Sequence, residues 1–268
     1  MIPLPSKIKI IKEEKNKVVF EIEGLYPGYG VTVGNSLRRV LLSSLEGTAI
    51  TQVRIKGVSH EFSIIEGVIE DVIMILLNLK KLRFKVYTNE PQKAVLKTKG
   101  IGAVKGSDFD LPSQVEIINP ETHIAALTTK SAQLEMEVLI EKGVGYEQVE
   151  DREVKKWDVG VLPLDAVFTP VKKVAFRVEN MRVGKRTDFD RLIIEIETDG
   201  TMTPQSVISK ASEILVEHFS LVLQTFLKPK EEKPKEKEIS QKSEKKKEKK
   251  PKKKKKSAPP AGGRRRKK

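Results

Sequence analysis

The 268-residue sequence holds 51 Lys and Arg against 37 Asp and Glu, a formal net charge of +14. The excess lies in one place: residues 228–268 carry 21 Lys or Arg against 6 Glu, a net +15, and residues 1–227 sum to −1. The pI near 9.6 is therefore no evidence that the folded part binds nucleic acid, and the absence of Cys excludes a disulfide framework, a thiolate metal site and a Cys nucleophile.

Lys7–Glu13 and Lys17–Glu23 alternate as strands, with Val18, Phe20 and Ile22 on one face. Tyr26-Pro27-Gly28-Tyr29-Gly30 breaks the pattern. A helix follows, expected from a cap near Thr32 to Glu46, with Leu37, Val40, Leu41 and Leu45 at helical spacing and Gly47 as its stop. Thr48–Lys56 reads as a strand. Ser63-Ile64-Ile65-Glu66 has capping-box spacing and predicts a buried helix over Val68–Lys80. Residues 83–170 read as short strands, clearest where Leu134, Met136, Val138 and Ile140 alternate with acids, with loops expected at Gly100–Pro112 and Gly143–Val159.

Two further strands, marked by Val174/Phe176/Val178 and Leu192/Ile194/Ile196, flank an expected charged connector, Glu179–Asp190. Thr203-Pro204 then starts a helix that should run to Phe226, ~23 residues or roughly 34 Å. Its stripe, Val207, Ile208, Ala211, Ile214, Leu215, His218 and Val222, widened by Phe219, Leu221, Leu223 and Phe226, is longer than a small body covers, which points to a partner surface such as a second copy. Beyond Lys228-Pro229 almost nothing is apolar, and the expectation is a disordered tail. The first residues carry no apolar signal-like core. No apolar run nears the ~20 residues of a membrane span. The expectation is a soluble cytoplasmic protein with no membrane contact.

Catalytic constellations are scarce. His60, His123 and His218 lack metal-ligand spacing, and His218 reads as a packing residue. Gly28-Tyr29-Gly30-Val31-Thr32-Val33-Gly34 precedes a helix, but a dinucleotide loop needs a third Gly where Val33 stands, so a turn is the better reading. Asp108/Asp110 and Asp188/Asp190 are paired carboxylates without the further oxygen ligands a two-metal site requires, and turn chemistry explains them better. No metal or cofactor is expected. Arg38 and Arg39, off the apolar face and beside Leu42, fit a solvated helix face and a protein interface equally well.

Three segments carry a family resemblance. Gly28-Tyr29-Gly30-Val31-Thr32-Val33-Gly34-Asn35-Ser36-Leu37-Arg38-Arg39-Val40-Leu41-Leu42-Ser43-Ser44 is the first. His60-Glu61-Phe62-Ser63 with Glu66-Gly67-Val68 and Glu70-Asp71-Val72, through Ile75-Leu76-Leu77-Asn78-Leu79-Lys80, is the second. Arg182-Val183 with Arg186-Thr187-Asp188-Phe189-Asp190-Arg191-Leu192 and Glu195 to Thr201 is the third. In this order they resemble the N-terminal region of the bacterial RNA polymerase alpha-subunit family. The resemblance implies an α+β fold: a discontinuous dimerisation domain, residues 1–46 and 171–227, made of a sheet and two packing helices, around a mostly β inserted domain, 47–170.

It also implies a non-catalytic subunit of a DNA-directed RNA polymerase, a homodimer that scaffolds the beta and beta-prime subunits. Carried over residue by residue, Arg39 and Leu42 contact beta. Lys80, Leu164 and Arg182 contact beta-prime. Leu37, Leu41, Leu215, Phe219, Val222 and Phe226 make the dimer interface. The family's helical C-terminal domain has no counterpart after Phe226, where residues 228–268 form the Lys-rich tail. That tail suggests non-specific contacts to DNA phosphates. Two rival readings stand beside this one: a free-standing basic nucleic-acid-binding protein acting through its tail, and a small-molecule enzyme using the glycine turn or the Asp pairs.

Overall fold

Alternating apolar residues build two sheets with separate cores. The computed structural model describes residues 2–152 and 158–227; the expected disorder of the tail lies outside the described residues. In chain order, β1 is Lys7–Glu14, β2 Lys17–Leu25, α1 Tyr29–Ser43, β3 Glu46–Ile55 and α2 Val72–Leu79. Then follow β4 (Phe84–Val86), β5 (Gln92–Lys99), β6 (Gly102–Lys105), β7 (Phe109–Asp110), β8 (Val115–Ile117), β9 (His123–Leu127) and β10 (Gln133–Val144). The described chain ends with β11 (Tyr146–Glu147), β12 (Val161–Pro163), β13 (Ala166–Val167), β14 (Val171–Val183), β15 (Arg186–Thr198) and α3 (Pro204–Leu227). The fold is α+β. Residues 1–221 form one unit, and the last turns of α3 belong to a second.

The first sheet is antiparallel in the order β1-β2-β15-β14, so strands from both ends of the described chain lie side by side. Phe20 stands opposite Ile194 and Val18 opposite Ile196. That face packs on Leu37, Leu41 and Leu45 from α1 and its end, and on Val207 and Ala211 of α3. The other face is charged: Lys17 and Lys173 meet Glu195 at 2.8 and 3.7 Å, and Arg191 meets Glu21 at 3.6 Å. The period of two thus separates core from water along β2, while β15 buries Ile193 as well and β1 is an exposed edge.

The second sheet, β12-β3-β10-β5-β7, buries Val53, Leu96, Met136 and Val138 against Val72, Ile75 and Leu79 of α2. This core draws only on residues 50–164, and the first only on 18–45 and 171–211. A charged pair ties the two together, and two close contacts brace the inserted side. Gly47 lies so close to the Phe168 carbonyl that no Cβ would fit. The Thr48 hydroxyl donates to the Phe84 carbonyl. Arg83 pairs with the buried Asp199 at 3.3 Å.

Helix α1 shows how a distant residue sets a local boundary. The expected cap at Thr32 is corrected: the helix begins at Tyr29, behind Gly28 at φ +85°. Asp190 Oδ2 accepts the N–H groups of Gly28 and Gly30, both at 2.9 Å. This satisfies free helix-start donors from a strand 160 residues away. Thr32 instead sits in the first turn, its hydroxyl donating to the Gly28 carbonyl at 3.2 Å. A Cβ on Gly30 would stand 2.7 Å from Val178, and one on Gly34 would stand 2.7 Å from the Phe176 ring. These glycines let the helix lie directly on β14 and β15.

Other boundaries shift for similar reasons. Helix α2 starts at Val72, not Val68, because Asp71 caps it by accepting the Met74 N–H at 2.8 Å, while Ser63 and Glu66 lie in turns before it. The expected loop at 100–112 contains β6 and β7, and that at 143–159 contains β11. The charged connector 179–190 is the far end of a hairpin, with Glu179 opposite Arg191 and a turn at Gly184, φ +63°. Except for the buried Asp190, its charges lie on the exposed face and tip of the hairpin, which a connector reading misses. Helix α3 spans 24 residues from Pro204, as expected.

Gly34→Ala tests the close approach of α1. Better helix propensity is outweighed by overpacking of about 1–3 kcal/mol. The urea midpoint should fall with an unchanged slope; a midpoint at or above the parent's would contradict the contact.

Candidate functional site

Four exposed features collect the residues singled out above. The first is the outer face of α1. Leu37 and Leu41 point down and Arg38 and Arg39 point out, as helical spacing requires. Arg39 is exposed and forms no ion pair among the described residues; its carbonyl accepts the Ser43 hydroxyl at 2.8 Å. Leu42 is half-buried at the margin of the core. The pair therefore offers a free guanidinium next to an apolar edge, on a helix fixed at its start by Asp190.

The second feature is a cleft at the end of α2. Lys80 caps the helix, and its Nζ donates to Asp165 Oδ2 at 3.0 Å. Asp165 Oδ1 accepts the Val149 N–H at 3.1 Å. The Lys80 ammonium, followed by that N–H, holds the Asp165 carboxyl below the ordinary aspartate range. Ile73, Leu76, Leu77 and Tyr146 line the adjoining cavity of about 610 Å³, with Glu61 and Glu150 at its rim. Leu164, 5% exposed, belongs to the inner core and lines the cleft beside Lys80. Sequence reading missed Asp165, the residue that orients Lys80. Its partner is 85 positions away, and only its place next to Leu164 could have drawn attention to it.

The third feature is the β14–β15 tip. Arg182 is exposed there, its Nε donating to the Gly184 carbonyl at 2.9 Å. It does not line the Lys80 cleft. Arg186 forks onto Asp188 at 3.0 and 2.7 Å, and its guanidinium lies 5.6 and 5.2 Å from the Tyr26 and Phe189 rings. Both acids of the second Asp pair thus have structural partners, Asp188 with Arg186 and Asp190 with the α1 start. In the first pair, Asp108 accepts the Lys105 N–H at 2.8 Å. The glycine turn is likewise filled by the chain's own carboxylate.

The fourth feature is the far half of α3. Its stripe is buried at Val207 and Ala211, half-buried at Leu215, and bare at Phe219, Val222 and Phe226, which are 66%, 55% and 84% exposed. Leu37 and Leu41, expected at the interface, are 6% and 0% exposed and pack into the chain's own core. His218 is exposed, so the packing expected of it is absent. No helix among the described residues is long and apolar enough to cross a membrane.

Comparison with known proteins fits this arrangement. Residues 53–169 match the family of the RNA polymerase Rpb3/RpoA insert domain. The DNA-directed RNA polymerase subunit alpha of Roseiflexus castenholzii is 49% identical over 212 residues, 79% of this chain and 65% of that protein. The subunit of Alkaliphilus oremlandii is 48% identical over 213 residues, 80% and 67% of the two chains, and that of Aquifex aeolicus 48% over 221 residues, 81% and 69%. The chain thus spans about two thirds of the length of these relatives. At this identity, sustained across both cores, the chain belongs to the family of the alpha subunit of DNA-directed RNA polymerase.

Proposed function

We propose that this chain is an assembly subunit of a DNA-directed RNA polymerase, acting as a homodimer that scaffolds the beta and beta-prime subunits and supplies no catalytic residue. The observation that carries the reading is the bare distal stripe of α3. Val216, Phe219, Val222 and Phe226 are 55–84% exposed on a helix whose proximal stripe is buried. A two-fold axis lets one such stripe cover its copy, because an isologous interface uses the same patch twice. The dimerising part is residues 1–46 with 171–227, which share one core; the inserted part is 47–170, within which the insert-domain match at 53–169 falls.

The docking roles follow from where the free charges stand. Arg39 and Leu42 dock beta, since an exposed guanidinium beside an apolar edge is the composition of an interface anchor. Lys80 and Arg182 dock beta-prime; Asp165 holds Lys80 in place. The Lys-rich tail contributes non-specific contacts to DNA phosphates. The rival reading as a tail-driven nucleic-acid binder makes the near-neutral body dispensable, whereas here the body does the assembly.

Reconstitution with the large subunits tests the reading directly. Arg39→Ala should keep the dimer and weaken capture of beta by about 2 kcal/mol, some thirtyfold, as central interface Arg truncations do; co-purification at parental yield would remove Arg39 from the interface. Phe219→Glu should leave each protomer folded, because that side chain is exposed, yet shift the sedimentation profile to monomer by forcing a charge into the interface. A dimer of unchanged affinity would reject the α3 surface.

A third expectation concerns acid. Asp165 has a lowered folded pKa, so its stabilisation is full above the ordinary aspartate value near 3.8 and is lost as pH falls through the folded value. The pair is partly exposed, so the effect should stay below about 1 kcal/mol. Denaturation of Asp165→Asn at pH 6 and pH 3 should show a smaller acid loss than the parent, and equal losses would count against the Lys80 pair.

A further inference from the structure

The junction of the two cores holds a second cavity, apart from the Lys80 cleft. It measures about 420 Å³, within the ~300–1,000 Å³ usual for small-molecule sites. Lys85 of β4, Lys142 of β10 and Lys210 of α3 all line it. Elements far apart in sequence thus bring three lysines to one opening, where Glu46 is the single carboxylate of the lining. None of the three lysines is ion-paired among the described residues. Lys142 Nζ donates to the neutral Asn89 side chain at 3.1 Å, and Lys85 Nζ rests 5.2 Å from the Tyr87 ring. By contrast, Lys9, Lys17 and Lys173 on the first sheet meet carboxylates across the strands.

Cations gathered in a concave surface with low-dielectric walls repel one another and raise the local potential for an anion. Lys142 stands directly across from Thr48 on the β3–β10 ladder, and Ser206 lies one turn before Lys210 on α3. Hydroxyls therefore accompany the ammonium groups. Val86 and Met202 supply an apolar wall. We propose that this cleft binds a small phosphate ester, its phosphate held by Lys142 and Lys210 and its organic part against Met202. Both cores contribute to the lining, so the ligand would bridge the same junction as the Arg83–Asp199 pair.

Methionine-methyl NMR on the full chain tests this, because the sequence has five Met and only Met202 lines the cleft. Phosphate collected by the Lys-rich tail would leave that signal in place. Titration with phenyl phosphate should move the Met202 methyl saturably. Lys142→Ala and Lys210→Ala should each weaken the response about tenfold, as expected for loss of one charge-assisted contact, and Glu46→Gln should strengthen it. A Met202 signal that does not saturate, or saturates equally in both lysine variants, overturns the site. Saturation by inorganic pyrophosphate without saturation by phenyl phosphate overturns the ester assignment.

Discussion

The approach of α1 to its sheet is the constraint on which the rest depends. Gly30 and Gly34 present no Cβ to Val178, Phe176 and Leu192, so helix and strands meet at backbone distance. Asp190 then holds the helix start through two N–H groups. Because the helix is fixed in position and rotation, Leu37 and Leu41 are committed to the core and Arg38 and Arg39 to the outside. A binding surface made of one Arg and one half-buried Leu has little area to spare, and a rigid helix limits the ordering cost that such a surface must offset.

The same sheet lets a large insertion leave the chain at one edge and return beside it. Residues 18–45 and 171–211 close one core, and everything between builds another. An Arg–Asp pair crosses the junction, and on the inserted side one hydroxyl bond and a glycine pressed on a carbonyl brace it. Each core can therefore satisfy its own apolar burial, and the junction carries orientation more than stability. Separate cores leave each part a face of its own.

Charge follows the same division of labour. The body sums to −1, and its charges are largely used in cross-strand pairs or in fixing turns, as Asp188, Asp190 and Glu195 show. Among the described residues, the cations outside such pairs include Arg38, Arg39, Arg182 and the three lysines at the junction. Surface pairs contribute little stability individually. The unpaired cations are the ones left for a partner or ligand to recognise.

Much of this was legible in the sequence. Period-two runs marked the long strands, the Thr203-Pro204 start and the stripe that follows marked α3, and the 28–44, 60–80 and 182–201 segments carried the family, because local patterning and side-chain chemistry are written residue by residue. What covers each apolar face was not written there. Leu37, Leu41 and Leu164 look alike whether they meet their own core or another chain, and only the packed structure assigns them inward. The cap of α1, the partner of Lys80 and the clustering of Lys85, Lys142 and Lys210 join positions tens to more than a hundred residues apart, which no local spacing encodes. The sequence by itself thus determined the long strands, the family and the apolar stripe of α3; tertiary packing alone decided which residues remain free to bind, because burial is a property of the neighbours and not of the residue.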